Sequence, residues 1–310
     1  MNWLNLAIHK IKYKLLFDDD PRRVANYRFR KAFGRSIDWE HPRDLNEKIQ
    51  WLKFYSDTSS WSRLADKYAV RDYVAEKGYG DMLVKLYGHW ERAEEIDWEA
   101  LPEQFVLKLN NGCGDILICR DKSRLNRRKV IRRFARLLRK GNTYGYITAE
   151  PHYATIKPCI IAEELLDHTH QAVASDTLID YKIWCLDGEP VCIRVYMNRN
   201  RHSTPSSLYD TQWVSHPEWI AKSKHYGTDA LPVPRPASLD RMLEAARAFS
   251  AGHPQMRVDL YEVDGKPYFG ELTMTAANGC INSFTKEYLV ELGDRVTLPK
   301  REEFHHRQHK

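Results

Sequence analysis

The sequence predicts an α+β protein, and three observations carry that expectation. Two segments of like make, "DYKIWCLDGEPVCIRV" (180–195) and "RVDLYEVDGKPYFGELT" (257–273), each set an Asp-Gly turn between runs rich in β-formers, the pattern of an antiparallel hairpin. Shorter strand-like runs at 82–90, 105–110, 115–120 and 157–166 supply a second group. Helical periodicity appears in "HPRDLNEKIQWLKFY", "RLADKYAVRDYVAEKGYG", residues 122–140 and "LDRMLEAARAFSAG".

The elements follow in chain order. "MNWLNLAIHKIKYKLLF" is a basic amphipathic segment that suits a helix packed on the domain or one lying at a membrane interface. In 41–55, Asp44 and Glu47 make a capping-box pattern, and Leu45, Ile49 and Leu52 share one helical face. A second helix, 63–80, is stopped by Gly78. "FVLKLN" and "DILICR" are strands separated by "NGCG". Residues 122–140 hold ten Lys or Arg and no acid, with Val130, Ile131, Phe134, Leu137 and Leu138 at helical spacing. Such a helix buries one stripe and shows a basic face, either simply solvated or set against a polyanion, a nucleotide or an acidic membrane surface. "KPCIIAEELL" reads as a buried strand, 198–235 as a polar excursion, and 239–252 as a helix stopped by Gly252. The tail "KREEFHHRQHK" is expected to be disordered.

Composition narrows the class. A chain of 310 residues, 43% hydrophobic and 29% charged, can bury a full core. No apolar run reaches the length of a membrane span, and no stretch has a signal-peptide layout. The six cysteines form no Cys-x-x-Cys pair, so free thiols in a reducing cytosol are expected rather than disulfides or a zinc site.

Chemistry concentrates in 257–273, where Arg257, Asp259 and Glu271 sit among apolar residues. A two-residue turn at Asp264-Gly265 would pair Val263 with Lys266 and send Asp259 and Glu271 to opposite faces. A three-residue loop, Val263-Asp264-Gly265, would pair Arg257 with Glu271. It would collect Arg257, Asp259, Glu271 and Thr273 on one face and Val258, Leu260, Tyr268 and Leu272 on the other. The second register segregates polar from apolar and is the expectation. Two carboxylates ~6 Å apart at an effective dielectric near 20 repel by about 3 kcal/mol, which a cation must offset. Arg257 answers this as an ordinary cross-strand salt bridge, or a metal ion does. At the other end of the chain, "KLNNGCGDIL" runs Lys108 into a glycine-bearing loop whose N–H groups suit an anion.

Together these residues resemble a family. Asp-Lys-Tyr-Ala-Val-Arg (66–71), the Phe-Val-Leu-Lys strand, the small glycine loop, Ile-Ile-Ala-Glu-Glu (160–164), Asp-Tyr-Lys (180–182) and Arg-Val-Asp…Glu-Leu-Thr (257–273) look like the ATP-grasp superfamily. More narrowly, with "LNEKIQWLKFY", they are similar to the TupA-like branch typified by teichuronopeptide-biosynthesis proteins, over about residues 40–299.

The resemblance implies an ATP-grasp fold, two α+β subdomains gripping a nucleotide. The expected limits are a helical extension at 1–60, subdomains at 61–160 and 161–299, and a tail at 300–310. It implies ATP and Mg2+ as cofactors. Lys67 and Lys108 would approach the nucleotide, the Gly112–Gly114 loop would close over phosphates, and Glu163 and Glu164 would lie on the hinge strand beside adenine. Asp259 and Glu271 would hold magnesium with Thr273 as a further oxygen donor, Arg257 would stabilise the transferred phosphoryl group, and Lys182 would contact phosphate. The implied reaction is ligation of an amine to a carboxylate through an acyl phosphate. The expected setting is cell-surface polysaccharide assembly in the cytoplasm or at the inner membrane face. The partners would be an anionic or uronic-acid-containing glycan acceptor and an amino acid or amine. Two features depart from better-known members: Thr273 stands where many have Asn, and no Rossmann-like domain precedes the grasp.

A glycosyltransferase and a non-catalytic polyanion binder are the competing readings. The first lacks an Asp-x-Asp metal motif outside the "DDD" at 18–20, and the second lacks any zinc-finger, helix-turn-helix or RNA-recognition signature. Nucleic acid is not an expected partner.

Overall fold

The computed structural model describes residues 20–112, 116–141, 143–198, 205–221 and 232–302. The amphipathic opening segment, "DDD" up to Asp19, Gly114 and the three tail histidines lie outside the described residues.

Helices α1 (Pro21–Phe33) and α2 (Leu45–Tyr55) come first. Asp20 caps α1 ahead of Pro21, and Gly34 ends it in the left-handed conformation, φ 72°. Asp44 caps α2 by accepting from the Glu47 N–H, as the sequence pattern requires. The continuous helix expected over 63–80 is instead two, α3 (Trp61–Ala65) and α4 (Val70–Glu76). Asp66 breaks it: its Oδ1 accepts from the N–H groups of Tyr68 and Ala69, and a local side-chain bond of this kind competes with the helical ladder.

Strands β1 (Leu86–Trp90), β2 (Phe105–Leu109) and β3 (Ile116–Cys119) follow. Then come the basic helix α5 (Arg127–Lys140), the short helices α6 (Thr143–Thr148) and α7 (Pro151–Ala154), and β4 (Ile160–Glu163). The four strands form an antiparallel sheet in the order β1-β4-β2-β3. Strict alternation buries Phe105, Leu107, Ile160 and Ala162 on one face against Val130, Phe134 and Leu137 of α5. Val106, Lys108 and Glu163 are left on the other face.

The second sheet holds β5 (Asp180–Leu186), β6 (Glu189–Tyr196), β7 (Ser206–Tyr209), β8 (Gln255–Val263) and β9 (Lys266–Thr273), in the order β7-β6-β5-β8-β9. Both Asp-Gly turns have two central residues at positive φ, Asp187 and Gly188, then Asp264 and Gly265, as a type I′ hairpin demands. The edge strand β7 falls inside the segment read as a polar excursion. Helix α8 (Leu239–Ser250) packs Met242, Ala246 and Phe249 on Ile183, Val195, Val258 and Leu272 of one sheet face. On the opposite face α9 (Lys286–Asp294) covers only one end, where Tyr288 meets Trp184 and Cys192. The middle of that face carries charge.

Cys119, Cys159, Cys185, Cys192 and Cys280 are free thiols. Among the described residues no helix is long and apolar enough to cross a membrane.

Candidate functional site

The charged middle of the second sheet is built by register. Val263 pairs with Lys266, so the turn has two residues and the three-residue loop expected from polar segregation is wrong. Near the turn Tyr261 lies opposite Tyr268, and Leu260 opposite Phe269, so Phe269 rather than Tyr268 joins the core face with Leu260. A β-bulge then shifts the ladder between Asp259 and Leu260, leaving Gly270 as the extra residue, and beyond it Asp259 stands directly opposite Glu271 and Arg257 opposite Thr273. The bulge needs glycine: a Cβ at position 270 would lie 2.8 Å from the Asp259 carbonyl oxygen. Convergence of the two acids thus holds, by a route that strand alternation does not reveal.

On the far side of β8, Lys182 is directly opposite Asp259. One row across three strands therefore reads Lys182, Asp259, Glu271. Lys182 Nζ binds Asp259 Oδ2 and lies 2.8 Å from Asp180 Oδ2. Arg257 donates from Nε to Asp259 Oδ1 at 2.6 Å, and from Nη2 to Asp259 Oδ2 at 2.8 Å, Thr273 Oγ1 at 3.0 Å and Glu271 Oε1 at 3.3 Å. None of these bonds uses Arg257 Nη1. Lys67, in the break between α3 and α4 rather than on a helix, is held by its N–H on the Asn110 carbonyl. Its Nζ reaches Gly112 O at 3.0 Å and Glu271 Oε2 at 3.1 Å.

Three cations thus face three carboxylates, of which Asp180 and Asp259 are buried while the Glu271 side chain is 35% exposed. Desolvation works to raise the Glu271 carboxyl, but the charges of Lys67, Lys182 and Arg257 overcome it and hold the group well below the usual range. Desolvation, aided by Asp180 and Glu271, pushes Asp259 upward against the pull of Arg257 and Lys182. Asp259, Glu271 and Thr273 present only oxygen donors, which suit a hard divalent cation. Magnesium is ordinarily held by one or two carboxylates with phosphate oxygens completing the shell, so this pair fits without a third acid. Among the described residues no cluster of three or more His, Cys, Asp or Glu forms a metal site by itself.

Beside this row lies a cavity of about 280 Å³ between the sheets, lined by Lys108, Glu163 and Glu164 from the first and by Asp180, Tyr261 and Gly270 from the second. Lys108 Nζ is 2.5 Å from Glu163 Oε2, and Arg71 Nη1 is 3.4 Å from Glu163 Oε1. Ile116 and Ile118 also line it while remaining 45% and 53% exposed. The arrangement brings together Lys67, Gly112, Lys182, Arg257, Asp259, Glu271 and Thr273 in one cluster, and Lys108, Glu163 and Glu164 in the adjoining cavity.

Sequence reading missed a second polar group. Asn46, Gln50 and Lys53, at helical spacing on α2, are all buried and face the segment 275–281 that follows β9. Glu150 accepts from Thr275 Oγ1 at 2.5 Å, and His152 is buried beside them with its Nε2 unbonded. The spacing of three amide or amine residues along one helix stripe was the available signal.

Comparison with known proteins gives the fold a family. No curated protein matches the chain. Among solved structures, D-alanine–D-alanine ligase from Bacillus anthracis aligns at 16% identity and TM-score 0.43, covering 78% of this chain and 66% of that one. L-amino acid ligase from Bacillus licheniformis aligns at 15% identity and TM-score 0.41, covering 71% and 43%. The ATP-grasp ligase PsnB, complexed with minimal precursor, Mg and ADP, aligns at 13% identity and TM-score 0.40, covering 81% and 65%. The chain thus spans less than two thirds of the length of each. The TupA-like ATP-grasp family model matches residues 47–297, a span that includes both sheets, the ionic row and the cavity. The chain belongs to the TupA-like ATP-grasp family.

Proposed function

We propose that this protein is an ATP-dependent, ADP-forming ligase that joins an amine, such as an amino acid, to a sugar carboxylate during assembly of a cell-surface polysaccharide. The observation that carries the reading is the Lys182–Asp259–Glu271 row beside the Lys108–Glu163 cavity, in a chain of the ATP-grasp family. The cavity suits adenine, with Ile116 and Ile118 lining it and the end of β4 at Glu163, followed by Glu164, along its edge.

The triphosphate would then extend toward Lys67, Lys108 and Gly112. Magnesium, when bound, neutralises charge on the β- and γ-phosphates, and Asp259 and Glu271 would hold it with the Thr273 hydroxyl as a neutral donor. Lys67 and Lys108, now on Glu271 and Glu163, can re-partner with phosphate oxygens as nucleotide enters. Arg257 keeps Nη1 for the transferred phosphoryl group while Nε and Nη2 fix the two acids, and Lys182 holds Asp259 in line.

In the first step an oxygen of the acceptor carboxylate attacks the γ-phosphorus, the bond to the β-phosphate oxygen breaks and ADP leaves. In the second the amine nitrogen attacks the acyl carbon, the C–O bond to phosphate breaks, and inorganic phosphate departs as the nitrogen loses a proton. ATP use assigns the reaction to the cytoplasmic side, and the basic face of α5 suits an anionic glycan or the inner membrane surface. Phosphate release from Mg-ATP should require both a uronic acid and an amine. A protein that binds no ATP, or hydrolyses it independently of every acceptor and amine, would contradict the reading.

A further inference from the structure

Helix α5 carries the positive charge of the whole molecule. Its 14 residues include eight Arg or Lys and no acid, while the net charge of the chain is +6, so everything outside this helix is slightly acidic in sum. At about 100° per residue, Arg128, Arg132, Arg136 and Arg139 fall within about 80° of one another, opposite the buried stripe of Val130, Phe134 and Leu137. All four are exposed. Arg127 pairs with Glu99 at 2.8 Å, but among the described residues these four, with Lys129 and Arg133, form no ion pair. Three of them bond instead to backbone: Arg132 Nε donates to the Arg128 carbonyl at 3.4 Å, Arg139 Nε to the Ala135 carbonyl at 3.3 Å and Arg133 Nη2 to the Ile116 carbonyl at 3.0 Å.

Folding alone does not call for this row. Arg128, Arg132 and Arg136 follow one another at i, i+4 spacing, as do Lys129 and Arg133, and like charges at that spacing oppose helix formation. Arg127, Arg128 and Lys129 also occupy the first turn, where the helix dipole favours acids. The helix is held through its other face, where Phe134 and Leu137 pack with Phe105, Leu107 and Ile160 of the first sheet. That sheet separates the row from the nucleotide cavity, which Val106, Lys108 and Glu163 line from the opposite face. The row is therefore no part of the phosphate site.

We propose that α5 docks the protein on an anionic membrane, with its outward arginines among the lipid headgroups and the nucleotide cavity on the far side of the sheet from the bilayer. This deepens the placement at the inner membrane surface and rests on the ligase reading only for the choice of leaflet, the one that faces ATP. Two features favour a bilayer over a soluble polyanion. The outward face of α5 holds arginine and lysine alone, with no aromatic ring to stack on a sugar or base and no acceptor for a sugar hydroxyl. The sequence also carries a second basic stretch, residues 1–17, in which Lys10, Lys12 and Lys14 accompany Trp3, Leu4 and Leu6 and no acid occurs. Bulky apolar residues beside lysines suit the boundary between headgroups and acyl chains, and a soluble polyanion offers them nothing.

Sedimentation of the full chain with phosphatidylcholine vesicles, pure or containing about 30% phosphatidylglycerol, reads the docking. Wild type should bind the anionic vesicles, leave them as salt rises from about 0.1 to about 0.5 M, and ignore the neutral ones. Each basic residue at the surface is worth about fivefold in affinity, so a triple variant, Arg128→Gln with Arg132→Gln and Arg136→Gln, should bind about a hundredfold more weakly. A remote triple variant, Arg63→Gln with Arg235→Gln and Arg241→Gln, removes as much charge from exposed residues paired with Glu76, Asp240 and Asp81, and should keep most of the affinity. The α5 variant should also melt no lower than wild type, because it removes like-charged neighbours, and should keep its Mg-ATP affinity. No binding of wild type to anionic vesicles, equal binding to neutral ones, or undiminished binding by the α5 variant would overturn the proposal. So would an equal loss in the remote variant, a lowered melting temperature in the α5 variant, or complete displacement from vesicles by polyglucuronate at equal charge. Failure of wild type to bind Mg-ATP would instead count against the ligase reading and leave the vesicle result standing.

Discussion

Replacing Gly270 with alanine tests how the fold makes its site. The new Cβ would lie 2.8 Å from the Asp259 carbonyl oxygen and 3.0 Å from Tyr261 Cε2. The first contact is with backbone of the neighbouring strand, so relief requires β8 and β9 to separate locally. Overpacking of this kind costs about 1–3 kcal/mol. If the ladder instead heals by losing the bulge, Glu271 turns to the opposite face and leaves Asp259 without its partner acid. Both responses damage the site, but in different proportion: the first mainly lowers stability, the second mainly lowers Mg-ATP affinity. Urea titration and calorimetry on the same preparation separate them. Gly80→Ala is the control, because its Cβ meets only the Ala75 side chain and backbone, at 3.6 and 3.8 Å. A Gly270→Ala protein within about 0.5 kcal/mol of wild type, with unchanged Mg-ATP affinity, would refute the role given to the bulge.

Two further perturbations follow from buried groups. Burial first, and then the Lys53 charge, lower the His152 pKa from 6.5 to about 3, so the unfolded chain binds a proton there before the folded one does. Its contribution is therefore complete above pH 6.5 and is lost as pH falls toward 3, by about 2–3 kcal/mol at pH 4.5. His152→Phe, which keeps an aromatic ring against Trp61, should lose that part of the acid sensitivity in urea titrations; an unchanged pH slope would contradict the assignment. Among the described residues Lys108→Met leaves Glu163 with only the 3.4 Å contact to Arg71 and should cost about 3–5 kcal/mol, as breaking a buried pair does. Adding Glu163→Gln should restore most of the stability but not Mg-ATP affinity, and denaturation with calorimetry on the cycle would show whether both return together.

Much of the architecture was legible because local chemistry and global fold agree. Asp-Gly with flanking β-formers marks a hairpin, and both hairpins form where that signal stands, although the second closes through a two-residue turn and not the three-residue loop that polar segregation favoured. The convergence of Asp259 and Glu271 was also expected, but its mechanism was not. A bulge is set by contact between neighbouring strands, and one glycine among fifteen does not announce it. Propensity averaged over a window places Lys67 on a helix, whereas one Asx bond at Asp66 decides the backbone there. Strand β7 has four residues in a polar stretch, too few for alternation to register. Apolar periodicity does not register the buried stripe of Asn46, Gln50 and Lys53, because α2 is buried on more than its apolar face.

Mg-ATP calorimetry on wild type, Asp259→Asn and Glu271→Gln tests the central claim most directly. The account predicts binding by wild type and a loss of at least about tenfold, ~1.4 kcal/mol, in each variant that still melts cooperatively. Equal affinity in all three proteins, or no binding by wild type, would contradict it.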